Sequence, residues 1–222
     1  MIQYIFLGIL IADYIIHIGS EVIENKPLRF ATKPFLMPLV ILYYIFSVGV
    51  AMVNWFLVIA LIFGTLGDIS LMIGREGKWF MMGLGSFLIG HIFYIITYLL
   101  LSGTSLLQFP VWGWLFLIPL IAITLLLYMR IKDKMGDLQV PTIVYIVVIF
   151  MMSFFAMLLL SIFEIFDFTL VYLGAILFII SDGIIAIAKF DVDIPKERVY
   201  IMITYVLAQL LITQGIILYQ IP

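Results

Sequence analysis

The 222-residue chain contains no cysteine, and only 11% of its residues are charged. Without thiols there is no disulfide, no thiolate metal site and no cysteine nucleophile, and the redox compartment is left open. Its 11 lysines and arginines nearly balance its 13 aspartates and glutamates, for a formal charge of −2. Such a balance offers no basic face for nucleic acid and no acidic tail. Two histidines, His17 and His91, are too few for a three-histidine metal hydrolase site. What the chain has instead is apolar surface: 66% of its residues are hydrophobic, against roughly 45–50% in soluble domains. No aqueous fold of this length has an interior that could hide so much, so its solvent is lipid. Soluble enzyme, nucleic-acid binder and disordered chain are excluded together.

A spanning helix needs ~20 mostly apolar residues, and charge clusters or Pro/Gly turns divide this chain into eight such stretches. They are Ile2–Ile18, Pro34–Val50, Asn54–Ile73, Trp79–Leu101, Pro110–Ile131, Pro141–Phe163, Phe168–Phe190 and Arg198–Tyr219. The first is not expected to be a cleavable signal peptide: it lacks a basic leader, carries Asp13 in its apolar stretch and has no small-residue cleavage site. The fold class expected is an all-α polytopic membrane protein of eight transmembrane helices, with residues 1–222 as a single membrane domain. All 11 basic residues fall in alternate connections: Lys26, Arg29 and Lys33; Arg75 and Lys78; Arg130, Lys132 and Lys134; Lys189, Lys196 and Arg198. The positive-inside rule then puts those four loops in the cytoplasm and both termini outside the cell membrane.

A weak internal repeat is also present. Phe63…Gly67-Asp68 in span 3 corresponds to Phe178…Ser181-Asp182 in span 7, and Phe87-x-x-Gly90-His91 in span 4 to Tyr205-x-x-Ala208-Gln209 in span 8. Spans 2 and 6 each open with a proline, Pro34 and Pro141. One reading is a parallel 4+4 duplication, which in membrane proteins places sites at the repeat interface; the other is chance likeness between apolar helices.

Ionisable groups at membrane depth are costly unless paired or facing water, which makes each a functional candidate. Four stand out: Asp13, Asp68, His91 and Asp182. At 1.5 Å per helical residue, Asp68 and Asp13 lie roughly 8 Å from the cytoplasmic ends of their spans, Asp182 roughly 12 Å and His91 roughly 18 Å. Tyr94, Ser181, Tyr205 and Gln209 fall in the same half or at the midplane. Antiparallel helices thus bring polar groups into one layer, as a pocket open to the cytoplasmic leaflet requires. A structural alternative stands beside each. Asp13 can pair with His17 one turn on, and His91 can be a core histidine bonded to a carbonyl or an aspartate. Asp68 and Asp182 are harder to explain structurally. Each is flanked by apolar residues and adjoins a small one, Gly67 or Ser181, which lets a ligand or another helix come close. Glu164, Asp167, Asp191, Asp193 and Glu197 read as solvated loop residues, and Gly83, Gly85 and Gly90 as points of close helix approach.

Two carboxyl groups in low dielectric resist double ionisation, so a neighbouring pair holds one proton at neutral pH and supplies an acid and a base. Glycosidases divide the work in that way. The same logic serves any acid-labile ether, including a vinyl ether, whose β-carbon is protonated and whose oxocarbenium ion water captures. Neither metal nor other cofactor is needed. Two competing chemistries remain open: a mixed carboxylate–imidazole metal site from Asp68, His91 and Asp182, and a Ser181 nucleophile with His91 as its base.

The motifs resemble those of the YhhN family, whose members include lysoplasmalogenases. They are Thr32-Lys33-Pro34, Gly67-Asp68-x-x-Leu71-Met72, Phe87-x-x-Gly90-His91-x-x-Tyr94, Gly174-Ala175-x-x-Phe178-x-x-Ser181-Asp182 and Tyr205-x-x-Ala208-Gln209, in that order along nearly the whole chain. The resemblance implies a multi-pass hydrolase that acts on lysoplasmenyl phospholipids. It would cleave their vinyl-ether bond to a fatty aldehyde and glycerophosphoethanolamine or glycerophosphocholine. It further implies catalytic roles for Asp68 and Asp182. Lys33 would meet the substrate phosphate as a point charge, while His91, Tyr94, Ser181, Tyr205 and Gln209 position water and headgroup. No metal, cofactor or nucleic-acid partner is implied; the partners are the lysophospholipid substrate and membrane lipid. Asp13 and Tyr145 lie where only hydropathy matches, so no role carries over to them. Two other classes fit the same residues: a transporter or proton-coupled carrier with midplane carboxylates, and a non-catalytic lipid-binding protein.

Overall fold

The computed structural model describes residues 1–103 and 108–221. Among these residues eight helices are long and apolar enough to cross a membrane, and no strand is formed. The protein is an all-α polytopic membrane protein. The helices are α1 (Ile2–Val22), α2 (Lys26–Val48), α3 (Trp55–Ile73), α4 (Gly77–Ser102), α5 (Leu117–Ile131), α6 (Gln139–Leu158), α7 (Ile165–Phe190) and α8 (Glu197–Gln220). The chain folds into two compact units, Met1–Thr97 with Gln220–Pro222 and Tyr98–Tyr219.

The largest departure from the sequence expectation is in the first unit. Helix α2 begins at Lys26, not at Pro34, and Pro34 and Pro38 lie inside it. Asn25 explains the early start: its side chain accepts from the Leu28 amide at 3.0 Å, and Pro27 occupies the first turn, where no amide donor is needed. Internal prolines each remove one backbone bond, which spanning helices tolerate where neighbouring groups satisfy the freed carbonyls. Lys26, Arg29 and Lys33 are therefore helical residues of α2 and not a loop. Pro34 also loses its likeness to Pro141, which does lie in the first turn of α6, so that leg of the proposed repeat fails.

Within the first unit, Phe6 stacks on Phe46 between α1 and α2 at 4.9 Å, and Phe63 on Phe93 between α3 and α4 at 5.9 Å. Asn54 caps α3 through the amides of Phe56 and Leu57, and the Asn54 amide itself donates to the Tyr44 phenol at 2.8 Å. Helices α3 and α4 meet at glycines. A Cβ on Gly90 would lie 3.2 Å from the Ala60 carbonyl oxygen, and one on Gly83 would lie 2.7 Å from the Leu71 side chain. Gly85 differs from the expectation: nothing lies within 4 Å of its Cβ position.

The second unit packs α7 against α5, α6 and α8. A Cβ on Gly215 of α8 would fall 2.6 Å from the Asp167 carbonyl oxygen, and one on Gly174 of α7 would fall 2.8 Å from that of Ala208. Gly183 admits the Leu127 side chain of α5, and Tyr172 of α7 donates to the Phe116 carbonyl at 2.6 Å. At its end, Asp191 is not the solvated residue expected. Its carboxylate is 3% exposed and binds Arg130 and Lys134. The Lys134 hydrogen bond, with help from Arg130 and against the desolvation that opposes it, holds the Asp191 carboxyl below the usual carboxylate range.

This packing sets the response to three substitutions. Gly215→Ala lowers the thermal unfolding midpoint, because the added Cβ meets backbone that cannot move aside, at a cost of about 1–3 kcal/mol. Gly85→Ala leaves the midpoint unchanged or raises it, since alanine is favoured over glycine in a helix by about 1 kcal/mol. For Asp191, a depressed carboxyl value stabilises the fold above the unfolded carboxylate range near about 3.9. That contribution is lost as pH falls through the lower folded value. Asp191→Asn therefore lowers the midpoint at neutral pH and flattens its decline below about pH 4. The effect is small because both cations are about half exposed (57% and 47%) and screened.

Candidate functional site

In the first unit, the polar end of α1 faces the first turns of α2. His17 Nδ1 and Thr32 Oγ1 are 2.9 Å apart. The Thr32 hydroxyl has one proton and gives it to the Leu28 carbonyl at 2.9 Å, so it accepts from His17, whose Nδ1 carries the hydrogen. His17 Nε2 then lies 3.7 Å from Glu21 Oε1. Glu21 holds Arg29 at 2.7 Å, and both side chains are buried. His17 thus donates to Thr32 and not to Asp13, and its Nε2 has no hydrogen-bond partner among the described residues. Asp13 Oδ2 is buried without a hydrogen-bond partner among the described residues.

One turn beyond Arg29 on α2, Lys33 reaches α3. Its Nζ lies 3.2 Å from Asp68 Oδ1, with side-chain exposures of 11% and 4%. Removing two charges from water costs several kcal/mol per ion, which their mutual attraction repays only at short range. Lys33 therefore neutralises Asp68 inside an apolar helix pair. Gly67, beside it, has a structural use: a Cβ there would lie 2.7 Å from the Phe87 ring. The space that the sequence left open between a ligand and a helix is taken by α4. His91 and Tyr94 of α4 are each 1% exposed, with the Phe87 carbonyl near the His91 ring.

In the second unit, Asp182 of α7 accepts a hydrogen bond from the Tyr145 phenol of α6 through Oδ2. Ser181 donates to the Ile201 carbonyl of α8 at 3.2 Å. Its hydroxyl proton ties two helices together. Tyr205 and Gln209 of α8 are 2% and 0% exposed. The Phe178 ring meets Tyr205 edge-on at 5.5 Å.

Of the expected site residues, the first unit thus holds Lys33, Asp68, His91 and Tyr94, with Lys33 and Asp68 bonded. The second holds Ser181, Asp182, Tyr205 and Gln209 on α7 and α8. Sequence reasoning missed Glu21 and Arg29, treated as connection residues, and gave Tyr145 no part. One signal for Glu21 was available. Asp13, His17 and Glu21 recur every four residues, and so lie on one helix face. Arg29 and Lys33 show the same spacing. For Tyr145 there was none, because one tyrosine in an apolar span is unremarkable.

The Glu21–Arg29 pair yields a stability prediction. Glu21→Gln or Arg29→Met alone leaves a buried charge unpaired and costs about 3–5 kcal/mol, whereas the double change Glu21→Leu with Arg29→Met recovers most of that loss. Chemical denaturation of the four proteins in one detergent checks it.

No curated protein and no solved structure matches the chain. A sequence model of the YhhN family matches residues 28–216, which include Lys33, Asp68, Tyr145 and Asp182. By that match, which spans α2 to α8, the chain belongs to the YhhN family.

Proposed function

We propose that this protein is a membrane hydrolase of the lysoplasmalogenase type, which cleaves the vinyl-ether bond of lysoplasmenyl phospholipids to a fatty aldehyde and a glycerophospho-ethanolamine or -choline. Membership of a family that includes such enzymes supports the substrate class. The observation that carries the chemistry is that both motif aspartates lie in membrane-spanning helices bonded to a proton-bearing side chain, Lys33 for Asp68 and Tyr145 for Asp182. Intramembrane carboxylates are kept for function by default, since hydrocarbon penalises them.

The reaction needs one aspartic acid and one aspartate. The acid protonates the β-carbon of the vinyl ether, whose π pair becomes the new C–H bond, and the ether oxygen shares the resulting positive charge. Water adds to the cation and gives its proton to the aspartate. The hemiacetal then collapses: its hydroxyl proton returns to the first carboxylate, and the second carboxyl group protonates the departing glycerol oxygen. Both side chains end as they began, and one water is consumed. Lys33, His91 and Tyr94 in the first unit, and Ser181, Tyr205 and Gln209 in the second, are the polar groups of each unit that can bond water or the phosphoglycerol headgroup, while the alkenyl chain lies among apolar side chains. Ser181 keeps its lone pairs for this purpose although its proton is committed to Ile201. In this reading the basic helix ends lie in the cytoplasm and both termini outside the cell membrane, as the positive-inside rule expects.

Purified protein supplied with lysoplasmenylethanolamine releases fatty aldehyde, and in heavy water the aldehyde carries one deuterium on the carbon next to its carbonyl. Asp68→Asn and Asp182→Asn each lower turnover by roughly 10²- to 10⁴-fold, the range of general acid–base catalysis, in protein that still unfolds cooperatively. Wild-type turnover in both variants would remove the aspartate mechanism. Lipid binding without aldehyde release would replace the enzyme by a lipid-binding protein.

A further inference from the structure

The family motifs give Tyr145 no task, yet its phenol donates to Asp182, and only 7% of the residue is exposed. A phenol has one proton to donate. Tyr172, on α7 of the same unit, gives its proton to a backbone carbonyl, that of Phe116; Tyr145 gives its own to a carboxyl oxygen. The difference matters because a hydrogen bond to an ionised oxygen is about twice as strong as one between neutral groups. The Tyr145 bond therefore changes strength whenever Asp182 gains or loses a proton. It tightens if Asp182 releases a proton in the transition state and loosens if Asp182 takes one up. Only an interaction that strengthens on the way to the transition state accelerates the chemistry.

The other motif aspartate, Asp68 in the first unit, meets the Lys33 ammonium at 3.2 Å instead. Resting on the hydrolase reading above, we infer that Asp182 is the general acid and that Tyr145 is the positioning residue that stabilises the carboxylate Asp182 leaves behind. Oδ2 accepts from the phenol, and the proton that moves leaves the same carboxyl group. As it passes to the β-carbon, the O–H bonding pair stays on Asp182 as carboxylate charge. The phenol holds that charge until hemiacetal collapse returns a proton.

The experiment compares aldehyde release by the wild-type protein, Tyr145→Phe and Tyr172→Phe, each as the full chain with lysoplasmenylethanolamine. Tyr145→Phe lowers kcat roughly 10- to 100-fold, as expected for a lost donor to developing charge, with KM within about twofold because ground-state binding is untouched. Tyr172→Phe, a phenol removed from the same unit, leaves kcat unchanged. Infrared spectra give a second readout that needs no turnover. The carboxyl band that disappears in Asp182→Asn shifts in Tyr145→Phe. An active wild-type protein whose Tyr145→Phe variant keeps its kcat, gains kcat or changes only in KM overturns the acid assignment alone, as does an unmoved infrared band. Absence of aldehyde from the wild-type protein instead overturns the hydrolase reading, and the acid assignment with it.

Discussion

A charged side chain in hydrocarbon must meet an opposite charge or a strong donor at bonding distance, and much of the first unit is organised to satisfy that demand for Asp68. Its carboxylate sits in α3 among apolar residues, and Lys33 reaches it only because α2 has already begun at Lys26 and runs through Pro34 and Pro38. The helix is held in that register at its start by the Asn25 cap, by Thr32 accepting from His17, and by Arg29 on Glu21. Each of these contacts joins α2 to α1 or to the turn between them. The ion pair and the unusual course of α2 are therefore one feature.

The second unit meets the same demand with a neutral donor. Asp182 accepts from a phenol, and the helices around it approach closely through glycines, Gly174 and Gly215 on the α7–α8 contact and Gly183 against α5. Close approach brings van der Waals packing, which drives helix association where lipid tails are as apolar as the side chains. A phenol and an ammonium differ in what they impose. The ammonium brings a full positive charge to its carboxyl group, whereas the phenol brings a neutral donor. Two aspartates of similar motif context thereby meet chemically different groups.

Much of the architecture was legible in the chain itself. The eight spans followed from ~20-residue apolar runs between charge clusters, because in lipid the backbone must satisfy its own polar groups and a helix is the simplest way to do so. Asp68 and Asp182 were legible for the converse reason: a carboxylate in such a run stands out. Less was legible at the helix ends. Pro34 read as a start signal because proline favours the first turn, and the Asn25 cap that overrides it is a weak signal nine residues upstream in a stretch of mixed polarity. Gly67 and Ser181 read as room for a ligand or another helix, and which of the two was settled by packing: one admits the Phe87 ring of α4 and the other ties α7 to Ile201 of α8. Asp191 read as solvated, since nothing local shows that Arg130 and Lys134, some sixty residues earlier, converge on it.

Composition and periodicity alone determined the solvent, the number of crossings and the positions where ionisable groups are buried, because these depend on transfer free energies summed along a single helix. The tertiary structure decided which group each carboxylate meets. Lys33 on Asp68, Tyr145 on Asp182 and Arg29 on Glu21 are contacts between helices. Their chemistry depends on distances of a few ångströms set by packing, on which spacing within any one helix is silent.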